Sequence, residues 1–596
     1  MKKIFVILAV SLAVLAASSC SLDNLDIPQK GVIPAEGFYT EANAESAITV
    51  VYNQVAAALA RSINGIGGMT FAYSPHTIFW NHLSDDIWAT GWWRGDNDFG
   101  CQLTEFRFDY TQQTVEVYYR NMYACIYAAN LVIANYPQDH AKPEIQRYVA
   151  EARAWRAWCY MQLAIGWGTP PLVKELILPD VYPTNSEPGE VWAFVLAEFA
   201  DAAKYIPSKP SLTNKDAAIR LTKEAVYSFL GKAQVFTGKY AEAVTNLKTN
   251  VIDKNLYDLV PGQDLPNLFH KEGKYREEKV FEFNVVANTS IANNDWNAIV
   301  PTQQNDYYGW NYGDRWNGGN TFIRTGWGGI NPKGDFCWAL IENDGLDSWR
   351  RKASFATYHE ALYDFPHAHD GDMTLEQKRV DTKRGIKLTQ KGGAYRVSDI
   401  VGNEGFFHLK RAARVRDNFS HANGTMDKNF IVMRYAEVLL LYAEACVKSG
   451  QNLAHALEMV NKIQVRAGSK TISSSLTMDV IKKEKRFELW MEECRFADLV
   501  RWGDAYDALK NAGGGEKGLI PSFHENGKPG TYDKEGLTYE WTGDHGTWDD
   551  NNWIVEWLAT PLPGARGFVK GKHELMPFPK WARDRNPELK QNPNWE

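Results

Sequence analysis

The chain has 596 residues, a net charge of -7 and 23% charged residues. That mildly acidic balance excludes a nucleic-acid surface, which needs a basic field, and the length allows one large domain or a few ordinary ones. Aromatic residues reach 13%, with 22 Trp and 28 Tyr; a buried indole N–H needs a partner, so this excess points to flat stacking surfaces, which suit sugar rings with apolar C–H faces and polar rims.

Lys2 and Lys3 precede an apolar run over 4–17, the layout of a signal peptide. Ala17-Ser18-Ser19 then runs into Cys20. Small residues before a cysteine resemble a bacterial lipobox, although Ala17 stands where Leu or Val is usual. Residues 1–20 are therefore expected to be a lipoprotein signal that ends at a diacylated Cys20. Residues 21–34, rich in Asp, Asn, Gly and Pro, are expected to be a flexible tether. No later stretch holds the ~20 apolar residues of a spanning helix, so the expected mode is anchoring to a membrane rather than threading through it. Residues 35–596 are expected to form a single domain.

The body is expected to be mainly α. Helical periodicity covers 41–59, 115–135, 146–166, 191–206, 223–236 and 240–252, and resumes over 432–447, 453–467 and 479–502. Within 223–252, Leu230-Gly231, Gly238, Tyr240, Ala243 and Leu247 follow the tetratricopeptide spacing. Tyr442-Ala443, Gly450, Ala456 and Val460 repeat it with one inserted residue. Repeats about 41–252 and 432–503 are thus expected to form a helical superhelix. An array cannot bury its faces without neighbours, so about 255–425 is expected to be a loop-rich insertion packed against it. One short strand is expected in it, over 279–286. Residues 504–596 form the C-terminal segment. Cys101, Cys125, Cys159, Cys337, Cys446 and Cys494 show no metal-ligand spacing; Cys125, Cys159, Cys446 and Cys494 fall in apolar helical patterns, which predicts buried thiols.

Five blocks, in order, resemble the SusD/RagB family of outer-membrane nutrient-binding lipoproteins. They are LDNLDIPQKG with FYTEANAESAI; AEARAWRAWCYMQLAIGWGTPPL; MRYAEVLLLYAEACVKSG with NKIQVRAG; IKKEKRFELWMEECRFADLVRWG; and LMPFPKWARDRNPELKQNPNW. Lys485 replaces a family arginine, Phe578 an isoleucine, and Trp167 stands where Tyr or Phe is usual. The acidic stretch after Cys20 looks like the surface-export signals of Bacteroidetes lipoproteins. The resemblance implies a SusD-like fold and a protein that faces the cell exterior. It also implies a lipid anchor in the outer membrane, a SusC-like TonB-dependent transporter as partner, and an oligo- or polysaccharide ligand. The alternatives are a surface glycoside hydrolase of all-helical type and a protein- or peptide-binding surface lipoprotein.

Two aromatic-polar clusters are the candidate ligand face: Trp88, Trp92, Trp93, Arg94 and Asn97 in the first, and Tyr308, Trp310, Tyr312, Trp316 and Trp327 in the second. In the family, ligand contacts come from these two portions of the chain. Trp541, Trp548, Trp553 and Trp557 form a third cluster, expected to be more structural. Arg153, Arg156, Glu488, Arg495, Asp498 and Arg501 lie at helical spacing and are expected to form paired networks rather than a catalytic site. Asp85-Asp86, Asp344 with Asp347, and Asp549-Asp550 are nominal carboxylate pairs without a glycosidase motif. No hydrolase, nucleotide or zinc motif is present. His367, His369, Asp370 and Asp372 read as a solvated loop, and Asp544, Asp549, Asp550 and Asn552 lack the spacing of a calcium loop. No catalytic residue, cofactor or metal is expected.

Overall fold

The computed structural model describes residues 35–60, 74–89, 98–285, 329–357, 360, 406–412, 414–420, 425–512, 519–525, 531–532, 539–540, 553–559, 564 and 566–596. Helices α1 (Ala44–Ala60) and α2 (Pro75–His82) precede a short strand, β1 (Ile87–Ala89), and α3 (Asp98–Thr104). Five longer helices follow: α4 (Gln113–Asn135), α5 (Pro143–Trp167), α6 (Glu190–Tyr205), α7 (Lys223–Phe236) and α8 (Tyr240–Asn250). From α4 onward each packs on its predecessor, and α1 lies against α4 and α5. Their starts are set locally. Gln112 and Thr222 accept the N–H groups of Val115 and Ala225, and Pro143 opens α5, where a missing N–H costs no helical bond.

The tetratricopeptide spacing has a direct cause in the α7–α8 hairpin. A Cβ on Gly231 would lie 2.2 Å from Leu247 Cδ2. Only glycine lets the second helix of the pair sit this close.

The inserted segment leaves the stack through β2 (Lys279–Phe283). It carries β3 (Ile330–Pro332), α9 (Gly334–Asp344), α10 (Trp349–Ser354), β4 (Phe355–Thr357) and β5 (Phe406–His408), and returns through β6 (Phe430–Arg434). β2 and β6 pair antiparallel, Phe283 opposite Phe430 and Lys279 opposite Arg434. Exit and return therefore share one stem. Directly after it, α11 (Tyr435–Ser449) packs on α7 and α8, and α12 (Leu453–Ala467) packs on α11. The helical stack closes over the excursion.

Two boundaries differ from the expected ones. Helical pattern at 432–434 is taken by β6, because β2 offers those residues a backbone partner. The helix expected over 479–502 breaks into α13 (Met478–Glu488) and α14 (Arg495–Trp502). At the break Met491 and Glu493 adopt φ of 61° and 59°, uncommon for non-glycine residues. The kink gives Arg434 access to both Glu488 and Glu492, at 2.6 Å each, and turns Glu493 toward Arg411 at 2.5 Å.

The charged helical residues are paired as expected. Glu198 accepts from Arg153 and Arg156, at 2.8 and 2.6 Å. Glu488 receives Arg434, Arg466 and Arg350; burial opposes its ionisation, but Arg466, Arg434 and Arg350 outweigh it and hold the carboxyl below the usual range. Asp498 pairs with Lys485 and Arg501, and Arg501 reaches Glu444.

Much of the aromatic excess proves to be core. Trp80, Trp88, Trp155, Trp158, Trp167, Trp490 and Trp595 are buried. Phe79 lies between Tyr118 and Trp167, with ring centroids 4.7 and 5.5 Å away. Trp167 Nε1 donates to the Pro577 carbonyl at 2.9 Å, and Asn592 donates to the carbonyls of Trp167 and Met576. The C-terminal block is thus tied to the end of α5. The six cysteines after Cys20 are buried thiols outside any disulfide.

Candidate functional site

Strands β1 and β3 form a two-stranded antiparallel ribbon in which Ile87, Trp88 and Ala89 face Pro332, Asn331 and Ile330. Ala89 lies just before the segment holding Trp92, Trp93, Arg94 and Asn97. Ile330 lies just after the segment holding Tyr308, Trp310, Tyr312, Trp316 and Trp327. The Ala89–Ile330 pair therefore joins the stems of both aromatic clusters, although the chain between them is long. Cys101 Sγ, on α3, donates to the Ala89 carbonyl at 3.0 Å, which brings the far side of the first segment to the same point. β3 packs on β5, and β5 pairs with β4.

Two ion pairs hold this ribbon to the C-terminal helices. Asp85 accepts from Nε and Nη2 of Arg495, at 2.8 and 2.7 Å. Burial opposes its ionisation, but Arg495 holds its carboxyl below the usual range. Asp86 Oδ1 takes Nε and Nη2 of Arg486 at 2.8 and 2.5 Å. Burial pushes Asp86 up to about 6 against the pull of Arg486, with the Asp85 charge adding to the rise. The Lys333 N–H, at the end of β3, donates to the Asp86 carbonyl at 3.0 Å. Phe336 stacks on Trp490 with centroids 4.9 Å apart. The ribbon is thus clamped by charge on one strand and by aromatic packing after the other.

Trp88 is the one expected ligand contact among the described residues, and the structure buries it. It is 3% exposed, with Lys333 Nζ 4.4 Å from its ring centroid. Its place in a paired strand turns the ring inward, so it anchors the ribbon instead of presenting an open stacking face. Trp92, Trp93, Arg94, Asn97, Tyr308, Trp310, Tyr312, Trp316 and Trp327 lie outside the described residues, as do Cys20, the paired histidines at 367 and 369, and the acidic group at 544–552.

The nominal carboxylate pairs are committed elsewhere. Asp85 and Asp86 are held by arginines, and Asp344 is bidentate with Arg350 at 2.7 and 2.9 Å. Asp347 is an exposed partner of Lys352. Among the described residues no cluster of three or more His, Cys, Asp or Glu could hold a metal ion, and no helix is long and apolar enough to cross a membrane. The contribution missed from sequence was Asp85, Asp86, Arg486 and Arg495 acting together. Their partners lie about four hundred residues apart in the chain, and no local spacing signals that.

Comparison with known families now bears on this geometry. The SusD family model matches residues 296–595, half of the chain. The chain belongs to the SusD family. A second model, described as "starch-binding associating with outer membrane", matches residues 44–235 of this SusD-family chain. A SusD-like protein of Bacteroides ovatus is 23% identical over 532 residues, covering 83% of this chain and 82% of that protein. A laminarin-binding SusD-like protein of solved structure superposes with a TM-score of 0.67 at 19% identity, covering 93% of this chain and 99% of that one. Surface glycan-binding protein A of Bacteroides thetaiotaomicron, solved with laminarihexaose, gives a TM-score of 0.66 at 19% identity and the same coverage. The fold is that of a SusD-like protein, mainly α, with the repeat superhelix and few short strands.

Proposed function

We propose that this SusD-family chain is a cell-surface glycan-binding lipoprotein. It captures an oligo- or polysaccharide and delivers it to a SusC-like TonB-dependent outer-membrane transporter. The observation that carries the reading is the Ala89–Ile330 pair, from which both aromatic-polar segments depart. Residues at 92–97 and 308–327 supply indole and phenol faces for pyranose rings, with Arg94 and Asn97 to meet hydroxyls. The glycan-binding relatives of the same fold support this ligand class, and laminarin-type β-glucans are the first ligands to test.

The same reading makes the protein a binder and not an enzyme. A glycosidase needs two carboxylates open to the scissile bond, whereas Asp85, Asp86 and Asp344 are occupied by arginines. The membrane link is the lipid on Cys20, and residues 1–20, 21–34 and 35–596 are signal, tether and a single binding domain. The test is calorimetry of the mature chain against a glycan panel that includes laminarihexaose, with chromatography of each bound sugar afterwards. Saturable binding with the sugar recovered intact is expected. Shortened products would make it a hydrolase, and absence of binding across the panel would favour a peptide ligand.

A further inference from the structure

A second, independent feature stands on elements that contribute nothing to the ribbon. An open cleft of ≈ 700 Å³ lies between α12, the turn at 258–262 and the start of α10. This is within the size range of small-ligand sites. Its most prominent side chain is Trp349, which is 39% exposed. Glu458, Asn461, Lys462 and Val465 line the facing wall. Their spacing of three, four and seven residues puts all four on one face of α12. Val465 is 66% exposed and Leu259 completes the apolar floor.

The Trp349 ring is seated by glycine. A Cβ on Gly262 would fall 2.5 Å from Trp349 Cδ1, and one on Gly468 would fall 3.4 Å from it. Any larger residue at 262 would displace the indole. The ring, with Lys352 Nζ 5.7 Å from its centroid, stays partly exposed, an uncommon arrangement in a chain that buries most of its described tryptophans. Opposite, Asn461 Oδ1 is buried without a hydrogen-bond partner. Such an acceptor is costly unless a ligand or water donates to it. Lys462 Nζ lies 2.6 Å from Asp258 Oδ1 on the rim.

We propose that this cleft is a second carbohydrate site, which takes a neutral pyranose unit on Trp349. A pyranose offers an apolar C–H face for the indole and hydroxyl donors for Asn461 Oδ1. Asp258 and Glu458 are balanced by Lys462 and Arg466 in the lining, so the cleft offers no excess of cations to an anionic sugar. A proline-rich peptide would also suit an exposed indole, but proline has no N–H to offer Asn461.

The test uses the mature chain labelled with fluorotryptophan and observed by fluorine NMR, with the Trp349 signal assigned from Trp349→Phe. The probes are the methyl glycosides of glucose, galactose, mannose and xylose, N-acetylglucosamine, and laminarihexaose. A saturable shift of the Trp349 signal with at least one probe is expected. By analogy with base–aromatic stacking, Trp349→Ala should weaken that binding about 5- to 150-fold. Asn461→Leu removes the acceptor at similar volume and should weaken binding with the melting temperature kept. A Trp349 signal that no probe moves overturns the site, as does parent-like binding by Trp349→Ala. A proline-rich peptide that moves the signal when no sugar does overturns the ligand class. Because the ribbon segments carry their own tryptophan signals, loss at one site is separable from loss at the other.

Discussion

Asp86 and Arg486 meet at 2.5 Å across 400 residues of chain, and that contact fixes the base of the β1–β3 ribbon to α13. Asp86 is 1% exposed as a side chain, while Arg486 is 22% exposed. Removing one partner of a buried pair leaves an uncompensated charge, at a cost of about 3–5 kcal/mol. Arg486→Met should therefore lower the melting temperature clearly, and adding Asp86→Asn should restore part of the loss. Equal melting temperatures for parent and Arg486→Met would show that the pair does not hold the ribbon.

Glu488 serves three arginines, so its replacement should be the most damaging single change in the paired network. Glu488→Ala removes one carboxylate partner each from Arg434, Arg466 and Arg350 and should cost about 3–5 kcal/mol. Glu488→Gln keeps the shape and one acceptor oxygen and should cost less. Denaturant unfolding of the two variants gives the order. If Gln is as damaging as Ala, shape contributes nothing and charge alone is responsible.

Gly231→Ala should destabilise the α7–α8 hairpin by about 1–3 kcal/mol, the range for overpacking. The new methyl meets Leu247 Cδ2, so Gly231→Ala with Leu247→Ala should recover part of the deficit. Thermal melts of the two single variants and the double variant give the coupling, and strictly additive losses would refute direct contact as the cause.

These three cases show what was legible. Leu230, Gly231 and Leu247 lie within one hairpin, and local spacing recorded their contact. Glu488, Arg495, Asp498 and Arg501 could be assigned to paired networks because charge on an apolar helix must be satisfied. Their partners could not be named, since Arg434 and Asp85 come from distant elements. The break at 489–494 was hidden because helical periodicity continues through Met491 and Glu493, and only tertiary ion pairs bend the backbone there. Trp88 was grouped with Trp92 by composition alone. Its inward turn is set by β3, some 240 residues downstream, and no window around residue 88 contains that information.

His573 gives a pH dependence with a definite sign. Burial, with Lys572 and Arg566 adding to it, pushes its pKa down to about 3. The neutral ring accepts the Val569 N–H at Nδ1, 2.8 Å away. Below about pH 6.5 the unfolded chain binds a proton here that the folded chain does not. Stability should therefore fall as pH drops from about 6.5 toward 3, by roughly 2 kcal/mol for this group between pH 6.5 and 5. His573→Gln should flatten the slope of stability against pH by about one proton. An unchanged slope would mean that the ring takes up its proton in the folded state.

Replacing Cys20 with Ala should move the protein from the outer-membrane fraction to the soluble one, as the run before Cys20 implies. A variant that stays with washed membranes in cells lacking the transporter would refute lipid anchoring.

The ribbon clasp also orders the steps of folding. Contacts between residues so far apart carry a large loop-closure cost and form slowly. Helices α4 to α8 pack on near neighbours in the chain and can assemble early. Asp85 and Asp86 have no arginines to meet until residues 486 and 495 have been made. A chain truncated before α13 should therefore keep helical content but leave its ribbon without a clasp, so the ribbon is among the last parts of this protein to be fixed in place as it matures.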